Sequence, residues 1–232
     1  MKYKMKYLAM MQQGGNNVDN NIGDNVTVSM TPGYATKLQE LYPTTKYPQP
    51  TDAEIKQNYP LTYGELTYDA IAILAKYLTT ISPNVVRHIV IDIGSGVGKL
   101  PLYTSGYNVV TRAIGIELVQ ARHNEAMQLL NNMRETYPNE TSKVELINGD
   151  MLQQDYKALT GSQPALIWVS NLCFDDELTT RLFNKLAAEL SPGTIIITSK
   201  TVQHPKITKL EDITVPMSWS NGSIVFVHII IA

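Results

Sequence analysis

The run His88-Ile89-Val90-Ile91-Asp92-Ile93-Gly94-Ser95-Gly96-Val97-Gly98 joins an apolar stretch to three evenly spaced glycines. The apolar part has the pattern of a buried strand. The glycines permit a tight turn in which backbone N–H groups approach a ligand closely. Asp92 falls near the carboxyl end of this strand, where open α/β sheets bind their ligands. The run therefore predicts a strand, a ligand-binding turn and a helix in succession.

The chain around this run alternates between apolar strand candidates and helical patterns. The strand candidates are 88–93, 113–116, 144–148, 165–169 and 194–199, and the main helical patterns are 66–78, 98–103, 120–137 and 176–190. Such alternation predicts a parallel sheet with helices on both faces. Near the end, two β-rich runs flank Ser220-Asn221-Gly222-Ser223, and Asn-Gly favours a tight hairpin turn. We expect this hairpin to add an antiparallel pair to the sheet.

Composition limits the class of protein. With 44% hydrophobic and 17% charged residues, the chain is typical of a globular rather than a disordered protein. A net charge of −2 provides no global attraction to phosphate, so any nucleic-acid contact must be local. The single cysteine, Cys173, excludes an internal disulfide and favours a reducing, intracellular compartment. We predict no metal site, and no apolar run is long enough to suggest a membrane span.

Acidic residues end the next two strand candidates. Glu117 ends the second, where a carboxylate can accept both hydroxyls of a ribose. Asp150 ends the third and could meet an adenine amino group, with Met151 against the ring. Together with Asp92, these acids point to one crevice at the edge of the sheet. A dinucleotide could use the same geometry, but Asp150 and the terminal hairpin favour S-adenosylmethionine as the cofactor.

These features predict an α/β fold: a class I, Rossmann-like, seven-stranded S-adenosylmethionine-dependent methyltransferase sheet with a terminal antiparallel hairpin. Residues 1–25 are expected to form a flexible N-terminal tail, because a Gly/Asn-rich tract cannot repay its ordering entropy by burial. Residues 26–65, which contain five prolines, are expected to form an N-terminal arm with a short helix and a cofactor-covering loop. The methyltransferase domain is predicted over residues 66–232.

Several short segments surround the predicted site in a distinctive order. They are Thr62-Tyr63-Gly64-Glu65-Leu66, Asp92 to Gly98, Gly115-Ile116-Glu117, Gly149-Asp150-Met151, Val169-Ser170-Asn171-Leu172-Cys173-Phe174 and Thr198-Ser199-Lys200. Their order and spacing resemble the disruptor-of-telomeric-silencing (DOT) family, the non-SET histone-lysine methyltransferases. The similarity covers roughly residues 59–228, and the Tyr-Gly-Glu, Asn-x-x-Phe and Ser-Lys segments are more specific than the glycine turn.

The resemblance implies a role for each matched residue. Tyr63 and Glu65 would belong to a loop that closes over the methionine part of the cofactor. The other predicted cofactor-binding residues are Asp92, Gly94, Ser95, Gly96, Gly98, Glu117, Asp150, Met151 and Asn171. The predicted catalytic residues, which would line the methyl-transfer site, are Ser170, Asn171, Tyr63 and Phe174.

Several positions depart from the family's pattern, and two of them bear most directly on catalysis. The family's active-site segment usually reads Asn-Asn-Phe-x-Phe, and Ser170 stands here in place of the first Asn. A tyrosine of the last hairpin is also missing, since Val225 or Phe226 occupies its expected place. Either change could alter the rate, the number of methyl groups added or the substrate.

By resemblance, the substrate is a lysine in the globular core of histone H3, within a nucleosome, which would place the protein in the nucleus. DNA contact is expected to be weak, because only Lys200, Lys206 and Lys209 offer positive charge near the predicted channel. Two alternatives stay open. The acidic balance favours a non-histone protein as the target, and Ser170 favours a cofactor-binding module without catalysis. The oligomeric state is left open.

Overall fold

The fold is built around a seven-stranded sheet. A computed structural model describes residues 28–42, 49–51, 64–78 and 88–232. Within these ranges the strands are β1 (His88–Ile93), β2 (Val110–Glu117), β3 (Val144–Asn148), β4 (Leu166–Val169), β5 (Ile195–Thr198), β6 (Ile207–Met217) and β7 (Ser220–Ile230). Their spatial order is β3-β2-β1-β4-β5-β7-β6. The first five run parallel, and β7 is antiparallel to both β5 and β6. The predicted parallel sheet with a terminal antiparallel hairpin is confirmed.

Helices cover both faces of this sheet. They are α1 (Tyr34–Leu41), α2 (Tyr68–Ala75), α3 (Lys99–Ser105), α4 (Gln120–Thr136), α5 (Pro138–Thr141), α6 (Tyr156–Thr160) and α7 (Asp176–Glu189), with a 3₁₀ turn at Met151–Gln153. Apolar residues of α1 to α4 pack on one face, and those of α6 and α7 pack on the other. Every residue of β1 is therefore buried, which explains its continuous apolar pattern. No helix among the described residues is long and apolar enough to cross a membrane.

The hairpin differs from the prediction at its turn. The turn lies at Ser218 and Trp219, because Met217 pairs directly with Ser220. The predicted turn residues, Asn221 and Gly222, lie within β7 at an irregularity of the register. The reason is tertiary: the Ser218 N–H donates to the Glu65 carbonyl at 2.8 Å, and Met217 forms a bridge with Leu66. These contacts fix the turn in place of the local Asn-Gly signal.

The N-terminal segment packs against the main body. Tyr34 and Leu38 of α1 are fully buried, in a cluster that includes Leu102 and Met133. The Tyr34 hydroxyl donates to the Leu102 carbonyl at 2.9 Å. This packing is what an arm lying on the domain would show. The predicted tail over residues 1–25 lies outside the described residues, and the three predicted domain limits remain predictions.

Candidate functional site

The glycine turn follows β1 directly. Gly94, Gly96 and Gly98 all have positive φ angles, of 82°, 57° and 79°, which side-chain-bearing residues rarely adopt. A Cβ added to Gly94 would meet no atom within 4 Å, so the backbone there borders open space. A Cβ added to Gly98 would lie 3.1 Å from the Ala126 Cβ. Gly98 therefore allows α3 and α4 to pack closely. It is not among the residues that line the cavity.

Glu117 holds this turn from the end of β2. The Gly96 N–H donates to its Oε2 at 2.7 Å, and the Val119 N–H donates to its Oε1 at 2.8 Å. The side chain is buried. Each carboxylate oxygen has a second lone pair. Glu117 can thus support the backbone and accept hydroxyl groups of a ligand at the same time.

Asp92 lies at the centre of the site. It is buried, and its Oδ1 has no hydrogen-bond partner among the residues that the structure describes. Burial raises the pKa of Asp92 well above its usual value, and the negative charges of Glu117 and Glu65 raise it further. A buried carboxylate without a partner is costly. A cationic amine bound in the cavity would supply the missing partner.

Asp150 and Met151 form the wall after β3. The Leu152 N–H donates to Asp150 Oδ1 at 2.7 Å, so this carboxylate begins the 3₁₀ turn. The Tyr156 hydroxyl donates to the Met151 carbonyl at 2.9 Å and holds the backbone of that residue. Both residues line the cavity. A planar ring could lie against the thioether while Asp150 accepts a hydrogen bond from its edge.

The described structure brings most of the predicted site residues around one cavity. The predicted residues that line it are Glu65, Asp92, Gly94, Ser95, Gly96, Glu117, Asp150, Met151, Ser170 and Phe174. Tyr63 lies outside the described residues. Gly98 and Asn171 are not among the lining residues. The residues that cluster here come from the ends of four neighbouring parallel strands and from the segment that precedes α2.

Asn171 lies beside the cavity and does not line it in the described structure. It is fully buried, its Oδ1 accepts a hydrogen bond from the Lys200 N–H at 2.8 Å, and its Nδ2 donates to the Lys200 carbonyl at 3.4 Å. This amide joins the end of β4 to the end of β5. The side chains on either side of it in sequence, Ser170 and Phe174, face the cavity. Asn171 holds the loop that presents them.

Several lining residues were not predicted from the sequence, and three of them carry large or charged side chains: Lys99, Arg122 and Trp168. Lys99 is the first residue of α3 and directly follows the glycine turn, so its position in the sequence was a usable signal. Arg122 lies in the first turn of α4, on its buried face, and Trp168 occupies an apolar strand. Nothing in their local patterns separates these two from ordinary core residues.

Solved structures with the same fold include several methyltransferases. A methyltransferase from Geobacter sulfurreducens superposes with a TM-score of 0.53 at 11% identity, covering 98% of this chain and 96% of its own. A putative methyltransferase from Escherichia coli superposes with a TM-score of 0.52 at 15% identity, covering 72% and 88%. At these identities the likeness concerns the fold alone. It confirms the predicted class I methyltransferase architecture.

Sequence comparison identifies the family. A histone-lysine N-methyltransferase of Caenorhabditis elegans, described as H3 lysine-79 specific, is 30% identical over 158 residues, which are 65% of this chain and 16% of that protein. A Drosophila melanogaster protein of the same description is 28% identical over 145 residues, 61% of this chain and 8% of its own. The chain thus spans less than a fifth of the length of either relative. The sequence model of the family "Histone methylation protein DOT1" matches residues 48–221. This chain belongs to the DOT1 family of histone methylation proteins.

Proposed function

We propose that this chain is an S-adenosylmethionine-dependent protein-lysine N-methyltransferase that acts on a lysine of histone H3. The observation that carries the proposal is the convergence of Asp92, Glu117 and Asp150 on one cavity that also contains Ser170 and Phe174. Family membership supports the reaction class. The relatives described as H3 lysine-79 specific support the substrate.

The charges of the cavity favour this cofactor over a dinucleotide. Four carboxylates line it, compared with two cationic side chains. The carboxylates belong to Glu65, Asp92, Glu117 and Asp150, and the cations to Lys99 and Arg122. An acidic cavity repels a pyrophosphate and suits a ligand that carries a sulfonium and an ammonium group. Asp92 would pair with the ammonium, Glu117 would accept the ribose hydroxyls, and Asp150 would accept the adenine amino group beside Met151.

The bound cofactor supplies an electrophilic methyl group on a positively charged sulfur. A lysine amine that has lost its proton to solvent could take this methyl group by in-line displacement, so the chain would have to hold the amine neutral and aligned. A lysine amine has an unperturbed pKa of about 10.4, and an apolar entrance beside a cation lowers it. Trp168 and Phe174 contribute apolar surface near the amine, and the Ser170 hydroxyl can orient it. Positioning and exclusion of water would therefore account for most of the catalysis.

The nucleosome as the form of the substrate, and the nucleus as the location, belong to the same proposal. Both rest on histone H3, the substrate named in the descriptions of the relatives. Among the described residues, the segment that follows β5 carries only a few lysines. Lys200 and Lys206 are exposed, whereas Lys209 pairs with Asp212 at 2.9 Å. DNA contact by this chain would thus be local and weak.

A methyl-transfer assay on defined substrates tests the proposal. Recombinant protein and methyl-labelled cofactor are incubated with nucleosomes, with free histone H3 and with an unrelated lysine-rich protein. We expect label on H3, lost in Glu117→Ala and retained in Glu177→Ala, whose side chain is 82% exposed on α7. Label on all lysine-rich proteins alike would indicate a non-histone target. Cofactor binding without any transfer would indicate an inactive module, and transfer that survives Glu117→Ala would refute the site.

A further inference from the structure

A buried ion pair joins the entrance of the cavity to the helix after the glycine turn. Lys99 Nζ lies 2.6 Å from Glu65 Oε2, and the two side chains are only 14% and 7% exposed. The Tyr42 hydroxyl donates to the other carboxylate oxygen, Glu65 Oε1. One carboxylate therefore connects a residue of the N-terminal segment with a residue of the cavity wall.

Aromatic rings enclose the ammonium group. Lys99 Nζ lies 4.6 Å from the centroid of the Tyr42 ring and 5.2 Å from that of Tyr68. Cation–π contacts strengthen as the cation loses water, and this one is shielded from solvent. Tyr42 is thus held twice, through its hydroxyl on Glu65 and through its ring on Lys99.

The N-terminal segment, residues 28–42, contacts the rest of the described fold at several points, and two of them involve tyrosines, one in α1 and one directly after it. Tyr34 anchors α1 in the core through Leu102 and contacts the Tyr137 ring edge-on at 5.1 Å, and neither Tyr34 nor Tyr137 lines the cavity. Tyr42 attaches the end of the segment to Glu65 and Lys99, which do line it. Of these two, the attachment through Tyr42 is the one that reaches residues of the cavity wall.

We propose that Lys99 is a positioning residue: through Glu65 and Tyr42 it couples the docking of the N-terminal segment to the binding of the cofactor's amino-acid end. The identity of the ligand rests on the function proposed above. Removing Lys99 takes the ammonium partner away from the buried Glu65 carboxylate, whose charge already acts electrostatically on Asp92. A zwitterionic amino-acid group at this end complements both signs of charge. Binding of this group therefore favours the arrangement in which Tyr42 contacts Glu65 and Lys99.

Two nucleosides separate this role from a general effect on folding. S-adenosylhomocysteine carries the amino-acid group, whereas 5′-methylthioadenosine has the same adenine and ribose without it. Hydrogen exchange of residues 34–42 is measured with and without each compound, and calorimetry gives the affinities. We expect S-adenosylhomocysteine to slow exchange in this segment and methylthioadenosine to leave it unchanged.

Variants then assign the coupling to Lys99. In Lys99→Met the protection disappears and the affinity for S-adenosylhomocysteine falls about tenfold, within the usual range of couplings between sites. The affinity for methylthioadenosine stays the same, and Lys99→Arg restores most of both effects. Tyr42→Phe, which removes only the hydroxyl, loses part of the protection. Tyr137→Phe is the matched control, because it alters a contact of the same segment away from the cavity.

The outcomes are distinct. Protection and affinity that survive in Lys99→Met overturn the proposal. Equal weakening of both nucleosides in Lys99→Met shows a structural role only, which also overturns it. A wild-type protein that binds neither nucleoside refutes the proposed function, and the coupling with it.

Discussion

The two halves of the cavity are built in different ways. In the half formed by β1 to β3, the same carboxylates support the backbone and face the cavity, as Glu117 and Asp150 do. In the half formed by β4 and β5, these tasks are divided: Asn171 holds the loop, and Ser170 and Phe174 face the cavity. Substitutions in the first half should therefore damage ligand binding and local structure together. In the second half a cavity-facing residue can change without loss of the fold, which is how Ser170 can depart from the family's pattern.

The largest effect should come from the first half. Glu117→Ala removes the acceptor of two backbone N–H groups and the proposed partner of the ribose. Hydrogen bonds to a charged group contribute about 1.5–3 kcal/mol each, so we expect cofactor affinity to fall by two orders of magnitude or more and the free energy of unfolding to decrease. Calorimetry and urea unfolding measure the two effects. Glu145→Ala, at a half-exposed carboxylate on β3, is the control, and intact binding in Glu117→Ala would contradict the dual role.

Asp92→Asn should separate ligand binding from stability within that half. Losing one charge-assisted hydrogen bond to the cofactor's ammonium lowers affinity by about tenfold or more. Because the pKa of Asp92 is raised in the folded protein, its ionisation opposes folding. Its contribution to the free energy of unfolding therefore falls as the pH rises from 3.8 towards the raised value.

The pH dependence gives the measurement for Asp92. As the pH rises from 3.8 towards the raised pKa of Asp92, the affinity of the wild type for the cationic cofactor should increase, because binding favours the ionised carboxylate. Asp92→Asn should lack both slopes and be more stable than the wild type at neutral pH without cofactor. Urea unfolding and calorimetry across a pH series test this, and identical slopes in the variant and the wild type would exclude Asp92 as their source.

A smaller effect, of a different kind, is expected in the second half. Asn171→Ala leaves the Lys200 N–H without its acceptor, which costs roughly 1–3 kcal/mol of stability. Cofactor affinity should change little, whereas methyl transfer should decrease because Ser170 and Phe174 lose their support. Asn171→Asp, which keeps the acceptor but replaces the amide donor with a buried carboxylate, should recover only part of the stability. A large loss of cofactor affinity in Asn171→Ala would instead support the direct cofactor contact predicted from the sequence.

The smallest effect concerns acidification of the sheet next to the second half, where β7 pairs with β5. His228 on β7 is fully buried, its Nε2 accepts from the Val202 N–H at 3.4 Å, and burial lowers its pKa from 6.5. Its contribution to stability is therefore complete above pH 6.5 and is lost as the pH falls below that value, by at most about 1.4 kcal/mol per pH unit. Unfolding of the wild type and His228→Gln at pH 5 and pH 7.5 measures the difference. Equal losses in both proteins would assign the acid sensitivity to other groups.

The sequence predicts the first half well and the second half less well, for a physical reason. The strand and turn at residues 88–98 are specified by local pattern, because buried apolar residues and glycines with positive φ leave few alternatives. The orientation of Asn171 depends on Lys200, and the hairpin turn at Ser218 depends on Glu65. Neither contact can be inferred from neighbouring residues. The same holds for the pairing of Lys99 with Glu65 and Tyr42.

The position of Trp219 has a practical consequence. Its ring packs against Gly64, where an added Cβ would overlap it, and Gly64 lines the cavity. The chain contains two tryptophans, and the other, Trp168, lines the cavity directly. Their exposures differ, at 46% and 6%, so their emission should differ in colour. Intrinsic fluorescence can therefore report on this site. Quenching of the shorter-wavelength emission of Trp168 would follow ligand binding, and a wavelength shift of the Trp219 emission would follow movement of the entrance.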